Sequence, residues 1–385
     1  MAMAMNSARC LSPSLAFVLI ACSGAEISEV PDAAQPADAS VADAGTVDAS
    51  ISDSGPADSG VSPVPACPER ITWGLGPEFP EPRDHHATFV WTGDSGPSLY
   101  VAGGFNGGVF SDVWRAPIMA DGALGDWQDA GQLHSRTSGM ALAKYADRVY
   151  LLGGHSGASR LRSTSSFTIS EDGVVTDTRA EADLPQPRFH ASAAVFEDYV
   201  FVSGGLGTPG VAEDSIFRAR FASDGTLGAW TSLGPMPEPR SHHSSFVQDG
   251  FLYLVGGFFG NPVGNRTTYL PNVLRAEIMP DGTLGPWQDL GITLPAGGVS
   301  THASATFEGC ALNFAGITDA PQEVSDGVVK LDLSAASAEV LPDSAMPVPR
   351  SHVHHAPVHS GFVYLVSGKD TFSSDTAAVL VGRLQ

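Results

Sequence analysis

Histidine is the residue type of this chain whose spacing most suggests chemistry. In five of six repeats, the second residue after the Pro-Arg pair or its equivalent is a histidine. The positions counted in this way are His85, Ser138, His190, His242, His302 and His352, and His86, His243 and His354 lie beside them. Imidazole titrates near neutral pH and ligates transition metals, so side chains converging from these positions could bind a ligand, transfer a proton or hold a metal ion.

Two interpretations of these histidines stay open from the sequence. A polar side chain at the start of a strand can hydrogen-bond the neighbouring repeat, and it recurs because the repeat recurs. Alternatively, the imidazoles form a ring that faces a ligand. In its sharpest form, His352 and His354 share one strand face, and His85 or His86 approaches them to hold Zn²⁺ or Cu²⁺. No nearby carboxylate or thiolate completes that ligand set, so we predict no cofactor and assign no metal.

Four arginines form a second recurring set: Arg83, Arg188, Arg240 and Arg350. A guanidinium can bind carboxylated or sulfated sugars through paired hydrogen bonds. Alternatively, it can connect one repeat to the next by bonding to backbone groups and acidic side chains. The sequence has no serine-nucleophile motif, phosphate-binding loop or paired-carboxylate motif. It is therefore more typical of a binding module than of an enzyme, and it leaves catalysis open.

The elements that position these side chains form a repeat of 50 to 59 residues. A Gly pair begins at positions 103, 153, 204 and 256, and degenerate copies occur at Ala315-Gly316 and Ser367-Gly368. Around each pair lie Pro-Arg, two strands, a variable loop, a third strand, an Asp-Gly turn and often a Trp. Short strands with tight turns at this period predict an all-β ring of blades.

Pro-Arg, the Tyr before the Gly pair and the following Trp stand in the order of kelch repeats, and residues 67–385 resemble that family. The resemblance implies a six-bladed kelch-type β-propeller, similar in fold to the central domain of galactose oxidase. Repeat 5 departs from the pattern, because Val299-Ser300 replaces Pro-Arg. The chain ends after three strands of blade 6, so we expect the segment around Trp73 to supply the outer strand and close the ring.

The resemblance also implies a functional top face, where the loops between second and third strands meet the starts of the innermost strands. The longest loop, 258–272, carries Phe258, Asn261 and Arg266, which are typical of sugar or protein contacts. We predict a non-catalytic binding or scaffold protein that engages a glycan or protein partner there. The histidines assigned to this surface are His85, His86, His190, His242, His302, His352 and His354.

The alternative is a carbohydrate-active enzyme similar to the sialic acid mutarotases, which are also exported six-bladed kelch proteins. The copper chemistry of galactose oxidase is not supported, because it needs a cross-linked Tyr-Cys pair. The two cysteines of the 67–385 region are both expected at the bottom face, and its tyrosines before the Gly pairs lie in core strands.

Residues 1–22 predict export. A short apolar run ends in Leu19-Ile20-Ala21-Cys22, which resembles a bacterial lipobox with Cys22 as the lipidated residue; an ordinary cleaved signal peptide is the alternative. Residues 23–66 are rich in Ala, Ser, Asp and Pro and predict a disordered acidic linker. We therefore expect a lipid-anchored protein of the bacterial cell envelope, most simply at the outer membrane, that contacts the membrane only through the anchor.

Charge and cysteine content complete the expectations. The 67–385 region has 34 acidic and 19 basic residues, a net charge of −15, which argues against nucleic acid as a partner. An exported domain with two thiols favours a Cys67–Cys310 disulfide. Two isolated thiols are the alternative, because the two Cα atoms could lie too far apart. We expect a monomer.

Overall fold

The computed structural model describes residues 67–208, 210–260 and 267–385. The predicted leader with Cys22, the linker 23–66, Asn261 and Arg266 lie outside these ranges. No helix in the described part of the chain is long and apolar enough to cross a membrane.

The described residues form short strands joined by turns. The first is β1 (Ile71–Leu75). Blade 1 contains β2 (Ala87–Gly93), β3 (Gly96–Ala102), β4 (Asp112–Pro117) and β5 (Gln128–Gln132). Blade 2 contains β6 (Ala141–Tyr145), β7 (Arg148–Leu152), β8 (Thr164–Ile169) and β9 (Val175–Ala180). Blade 3 contains β10 (Ser192–Phe196), β11 (Tyr199–Ser203), β12 (Ser215–Arg220) and β13 (Thr231–Pro235).

The second half continues the pattern with additions in the loops. Blade 4 contains β14 (Ser244–Gln248), β15 (Phe251–Val255), the small pair β16 (Phe258–Phe259) and β17 (Thr268–Tyr269), then β18 (Asn272–Glu277) and β19 (Gln288–Thr293). A 3₁₀ turn (Pro295–Gly297) and β20 (Val299–Ser300) precede blade 5, which contains β21 (Ala303–Phe307), β22 (Cys310–Phe314), β23 (Ile317–Thr318), β24 (Val328–Asp332) and β25 (Ser337–Val340). Blade 6 contains β26 (Val358–His359), β27 (Phe362–Val366) and β28 (Val379–Leu384).

These strands build six four-stranded antiparallel sheets in a six-bladed β-propeller. In blades 1 to 5 the strands follow one another from the innermost to the outermost. Blade 6 has the order β26, β27, β28, β1, so its outer strand comes from the N-terminal end of the domain, with Trp73 opposite Gly382. Pairing of the first strand with the last removes an open edge from the ring.

Tight turns at the bottom face have the backbone that the Asp-Gly pairs predict. Gly122, Gly173, Gly225 and Gly282 all have positive φ, between 73° and 81°. Tyrosines before the Gly pairs reach these turns in the following blade: Tyr100 Oη donates to the carbonyl of Gly173 at 3.1 Å, and Tyr364 Oη to that of Gly122 at 3.0 Å. The repeat thus places one blade's core strand against the next blade's turn.

The apolar core lies between blades. One buried cluster joins Phe89 and Tyr100 of blade 1 to Val149 and Phe167 of blade 2, and the other clusters repeat this pattern around the ring. Tryptophans lie at the same seams between blades. Trp127 donates its indole N–H to the carbonyl of Pro77 at 3.1 Å, and so bonds to the preceding blade.

A disulfide joins Cys67 to Cys310 at the bottom face, with the two Cα atoms 5.7 Å apart. Cys67 precedes β1, and Cys310 opens the second strand of blade 5. The bond therefore ties the closing strand of blade 6 to its neighbour.

Candidate functional site

Six residues close the top of the channel through a continuous ring of backbone hydrogen bonds. Each donates its N–H to the carbonyl of its counterpart in the preceding blade, at distances between 2.7 and 3.2 Å. All have φ between 55° and 57°, a left-handed conformation. The members of this axial ring are His85, Gly139, His190, His242, Thr301 and His352.

The axial ring corrects the register predicted for blades 2 and 5. Gly139, and not Ser138, occupies the ring position of blade 2, and Thr301, and not His302, occupies that of blade 5. The hydrogen bonds of the Gly pairs prove the equivalence: Gly104 N–H donates to Thr137 and Gly257 N–H to Val299, as Gly154 does to Arg188. Four imidazoles, rather than five, therefore belong to the ring position.

The four ring imidazoles gather with His354 around the axis. The ring centroid of His85 lies 4.4 Å from that of His190 and 4.7 Å from that of His352, and His190 lies 3.7 Å from His242. His354 is 5.2 Å from His190 and 5.5 Å from His85. The sequence prediction that these histidines converge is correct for these five, which we call the axial cluster.

The residue before each ring histidine decides how its imidazole is held. Asp84, which is 1% exposed, lies 2.5 Å from His85 Nδ1, and its other oxygen accepts from Lys369 Nζ at 2.9 Å. Ser241 and Ser351 bond the Nδ1 atoms of His242 and His352 in the same way. Phe189 precedes His190 and offers no polar atom, so the buried His190 Nδ1 has no hydrogen-bond partner.

A second set of histidines follows the ring position and ties blades together. His86 is 1% exposed and bonds the carbonyl of Val366 in blade 6 at 3.0 Å. His302 contacts Ser244 Oγ of blade 4 at 3.0 Å. The assignment of His86 and His302 to a ligand surface is therefore wrong. They fill the other role considered from the sequence, hydrogen bonding to the adjoining blade.

Burial lowers the pKa of four of the five histidines in the axial cluster. Desolvation, followed by repulsion from neighbouring imidazoles, lowers the pKa of His190, His242 and His354 well below the usual histidine value. Burial lowers the pKa of His352 to about 3. Burial alone would raise the pKa of Asp84, but the hydrogen bond from His85 and the Lys369 ammonium lower it overall. At neutral pH most of the cluster is uncharged, beside one ionised carboxylate.

The arginines and Phe258 are also inside the protein. The four arginines are at most 1% exposed; Arg83 pairs with Asp112 at 2.6 Å and donates to Gly103 O at 3.1 Å. They therefore tie loops within the propeller and do not face sugars. Phe258 is 6% exposed and stacks on His242 at 4.7 Å, so it supports the cluster from above and does not form a contact surface.

Below the axial ring, the six innermost strands line a cavity of about 310 Å³. Its walls carry small and hydroxyl-bearing side chains such as Thr88, Ser192 and Ser304, and His354 and His355 lie at its upper end. The axial cluster thus separates this cavity from the top face.

Residues 72–257 match the KLHDC2/KLHL20/DRC7 Kelch-repeats domain. Residues 72–257 of the propeller therefore carry kelch repeats. The kelch propeller is similar to beta-scruin of Limulus polyphemus, with 27% identity over 46% of this chain and 20% of that protein. It is also similar to alpha-scruin of the same species (22% identity, 61% of this chain, 27% of that protein) and to human Kelch-like protein 33 (28%, 44% and 30%). It therefore spans about a third or less of the length of these relatives.

The top loops of the kelch propeller carry a feature that the histidine pattern did not indicate. Phe105, Val211, Phe259 and Phe372 are exposed by 38% to 54%, and they come from blades 1, 3, 4 and 6. Each lies in the loop between the second and third strands of its blade. In the sequence, these side chains could have been found as large apolar residues that follow the Gly pair, or its equivalent, by one to six positions.

Proposed function

We propose that this kelch propeller is a non-catalytic scaffold that binds a partner protein through its top face. The supporting observation is the set of exposed apolar side chains on four top loops, which we call the top rim: Phe105, Val211, Phe259 and Phe372. Exposed aromatic groups on polar loops are typical of protein interfaces, where a few buried aromatics dominate the affinity. A rim spread over four blades fits a partner that covers the channel mouth.

A glycan is the second ligand class that the sequence suggested, and the site favours it less. Sugar recognition needs polar groups that converge on an open pocket. The four arginines and the histidines His86 and His302 that could have supplied them are buried and bonded within the propeller. The rim, in contrast, offers apolar groups.

The experiment compares the full-length protein with a rim variant, Phe105→Ser, Phe259→Ser and Phe372→Ser, in quantitative affinity capture from envelope extracts. The matched control is Met119→Ser with Met279→Ser, because these side chains are 49% and 40% exposed at bottom turns. We expect one or more proteins to be captured by the wild type and the control and lost from the rim variant. Equal capture by all three proteins would contradict the proposal, and a glycan-array signal that survives in the rim variant would favour a sugar.

We also propose that the propeller works outside the cytoplasm, anchored through lipid on Cys22. The Cys67–Cys310 disulfide supports an oxidising compartment, because such bonds persist in exported proteins. Detergent phase partition of wild type and Cys22→Ala tests the anchor: we expect only the wild type in the detergent phase, and identical partition would overturn it.

A further inference from the structure

Three histidines of the axial cluster place one ring nitrogen each within 4.8 Å of one another: His85, His190 and His354. They come from blades 1, 3 and 6; blades 6 and 1 adjoin, whereas blade 3 adjoins neither of them. The sequence had suggested His352 as the third member. The structure replaces it with His190, because the ring nitrogens that lie within this distance of one another belong to His85, His190 and His354.

The hydrogen bonding of these three side chains leaves metal-binding lone pairs unused. His190 is 5% exposed and its Nδ1 has no partner, and the buried Nε2 of His354 also has none. A buried polar atom without a partner normally carries a free-energy cost. A cation bound between the imidazoles would satisfy both atoms.

Asp84 supplies the outer support that metal-binding histidines usually have. Its carboxylate takes the Nδ1 side of His85 and leaves Nε2 directed to other partners. A carboxylate–histidine pair of this kind fixes the tautomer and orientation of a ligating imidazole. Lys369 bonds the second oxygen of Asp84 and so holds the carboxylate in place.

The repeat shows that these residues are specific to their blades. Two positions after the axial ring, blade 6 has His354, whereas the other blades have Ala or Ser; these are Ala87, Ala141, Ser192, Ser244 and Ala303. The position before the ring holds a carboxylate in blade 1 alone. A packing role common to all blades explains neither exception.

We propose that His85, His190 and His354 bind one divalent transition metal ion, with zinc as the preferred candidate, and that Asp84 positions His85. Neutral imidazoles suit Zn²⁺, with Zn–N distances of about 2.0–2.1 Å and neighbouring nitrogens about 3.4 Å apart. Movements of about 1 Å bring the three nitrogens to that spacing. The ion links three blades across the channel and keeps a fourth coordination position. This inference does not depend on the proposed partner protein.

The test is zinc binding to the full-length protein after removal of metal with a chelator. We expect one zinc per chain by titration calorimetry and elemental analysis, a higher unfolding temperature with zinc, and a tetrahedral absorption spectrum with Co²⁺. His354→Ala should abolish binding and still fold, because other blades carry Ala or Ser at this position. Asp84→Asn should weaken binding about 10- to 100-fold without abolishing it.

The control is Thr301→Ser, which alters the axial ring away from the three ligands and should bind zinc like the wild type. Two results would overturn the proposal. One is a folded wild-type protein that takes up no zinc. The other is zinc bound equally by His354→Ala, which would place the ion elsewhere, for example on surface carboxylates.

Discussion

The top and bottom faces of the propeller are stabilised by different chemistry. At the top, six backbone hydrogen bonds and five imidazoles meet on the axis, and their stability depends on neutral histidines. At the bottom, the Cys67–Cys310 disulfide and the pairing of β1 with β28 hold the ring together. We therefore expect the top to respond to protons and, through the proposed metal site, to zinc, and the bottom to respond to reduction.

The difference shows how a repeated fold separates stability from potential function. The bottom face repeats the same Asp-Gly turn in four blades, and at three of these turns a tyrosine of the preceding blade donates to the glycine carbonyl. The top face repeats its backbone ring but varies the side chains on it, from His to Gly to Thr. Since the backbone closes the ring without help from those side chains, they are available for other roles.

Acidification should have the largest effect, and it should act on the top. Burial lowers the pKa of His86 and His352 to about 3 and that of His302 to about 4, whereas an unfolded histidine titrates near 6.5. Between these values the unfolded chain binds more protons. The free energy of unfolding should therefore be highest above about pH 7 and fall as the pH drops, by about 1.4 kcal/mol per pH unit for each such histidine.

Urea unfolding at several values between about pH 7 and pH 5 measures this dependence. His302→Asn keeps a polar group at this site but removes one titrating imidazole. It should therefore reduce the number of protons that the chain takes up on unfolding by about one. A free energy of unfolding that stays constant across the window would contradict the assignment of neutral buried imidazoles.

Loss of the disulfide should have the next largest effect, and it should act on the bottom. The bond spans 243 residues of chain, so it restricts the unfolded state strongly. Replacing both Cys67 and Cys310 with Ala should lower the free energy of unfolding by about 3–5 kcal/mol. Urea unfolding of this variant should resemble that of the reduced wild type, and an unchanged midpoint in both would show that strand pairing alone closes the ring.

The sequence predicted the fold better than the site, and particular residues explain why. Period, Gly pairs and Asp-Gly turns are local features, so six blades could be counted directly. The ring position was counted from Pro-Arg, and blades 2 and 5 lack that pair, so the count slipped by one residue. In a strand a slip of one residue reverses the direction of the side chain, which is why His302 was placed at the axis instead of Thr301.

Other parts of the site had no signal in the sequence. Phe258 and Phe259 are adjacent and alike, yet only Phe259 is exposed, because β16 turns its neighbour onto His242. The missing partner of His190 Nδ1 follows from Phe189 at the preceding position. This missing partner can be recognised only in the structure, where Asp84, Ser241 and Ser351 are seen to bond the Nδ1 atoms of the histidines that follow them.

Truncation of a histidine that hydrogen-bonds the adjoining blade should destabilise the protein more than truncation of a histidine of the axial cluster. His86→Ala removes a buried imidazole and leaves the carbonyl of Val366 without its partner, at a cost of about 2–3 kcal/mol. His354→Ala in metal-free protein should cost about 1 kcal/mol or less, because it removes an atom that already lacks a partner. Equal losses in urea unfolding would remove the distinction between the two sets of histidines.

The smallest expected effect is at the bottom turns. Tyr100→Phe deletes the hydroxyl that donates to Gly173 at 3.1 Å and should lower the free energy of unfolding by about 1 kcal/mol. Tyr253→Phe is the matched control, because the turn between β24 and β25 of blade 5 lacks the Asp-Gly pair, and it should change the free energy less. The loss for Tyr100→Phe should be independent of pH between about 7 and 5, because burial raises the pKa of Tyr100 above its usual value and the phenol stays protonated. A loss for Tyr100→Phe that grows on acidification would mean that the two ends of the channel are coupled rather than separate.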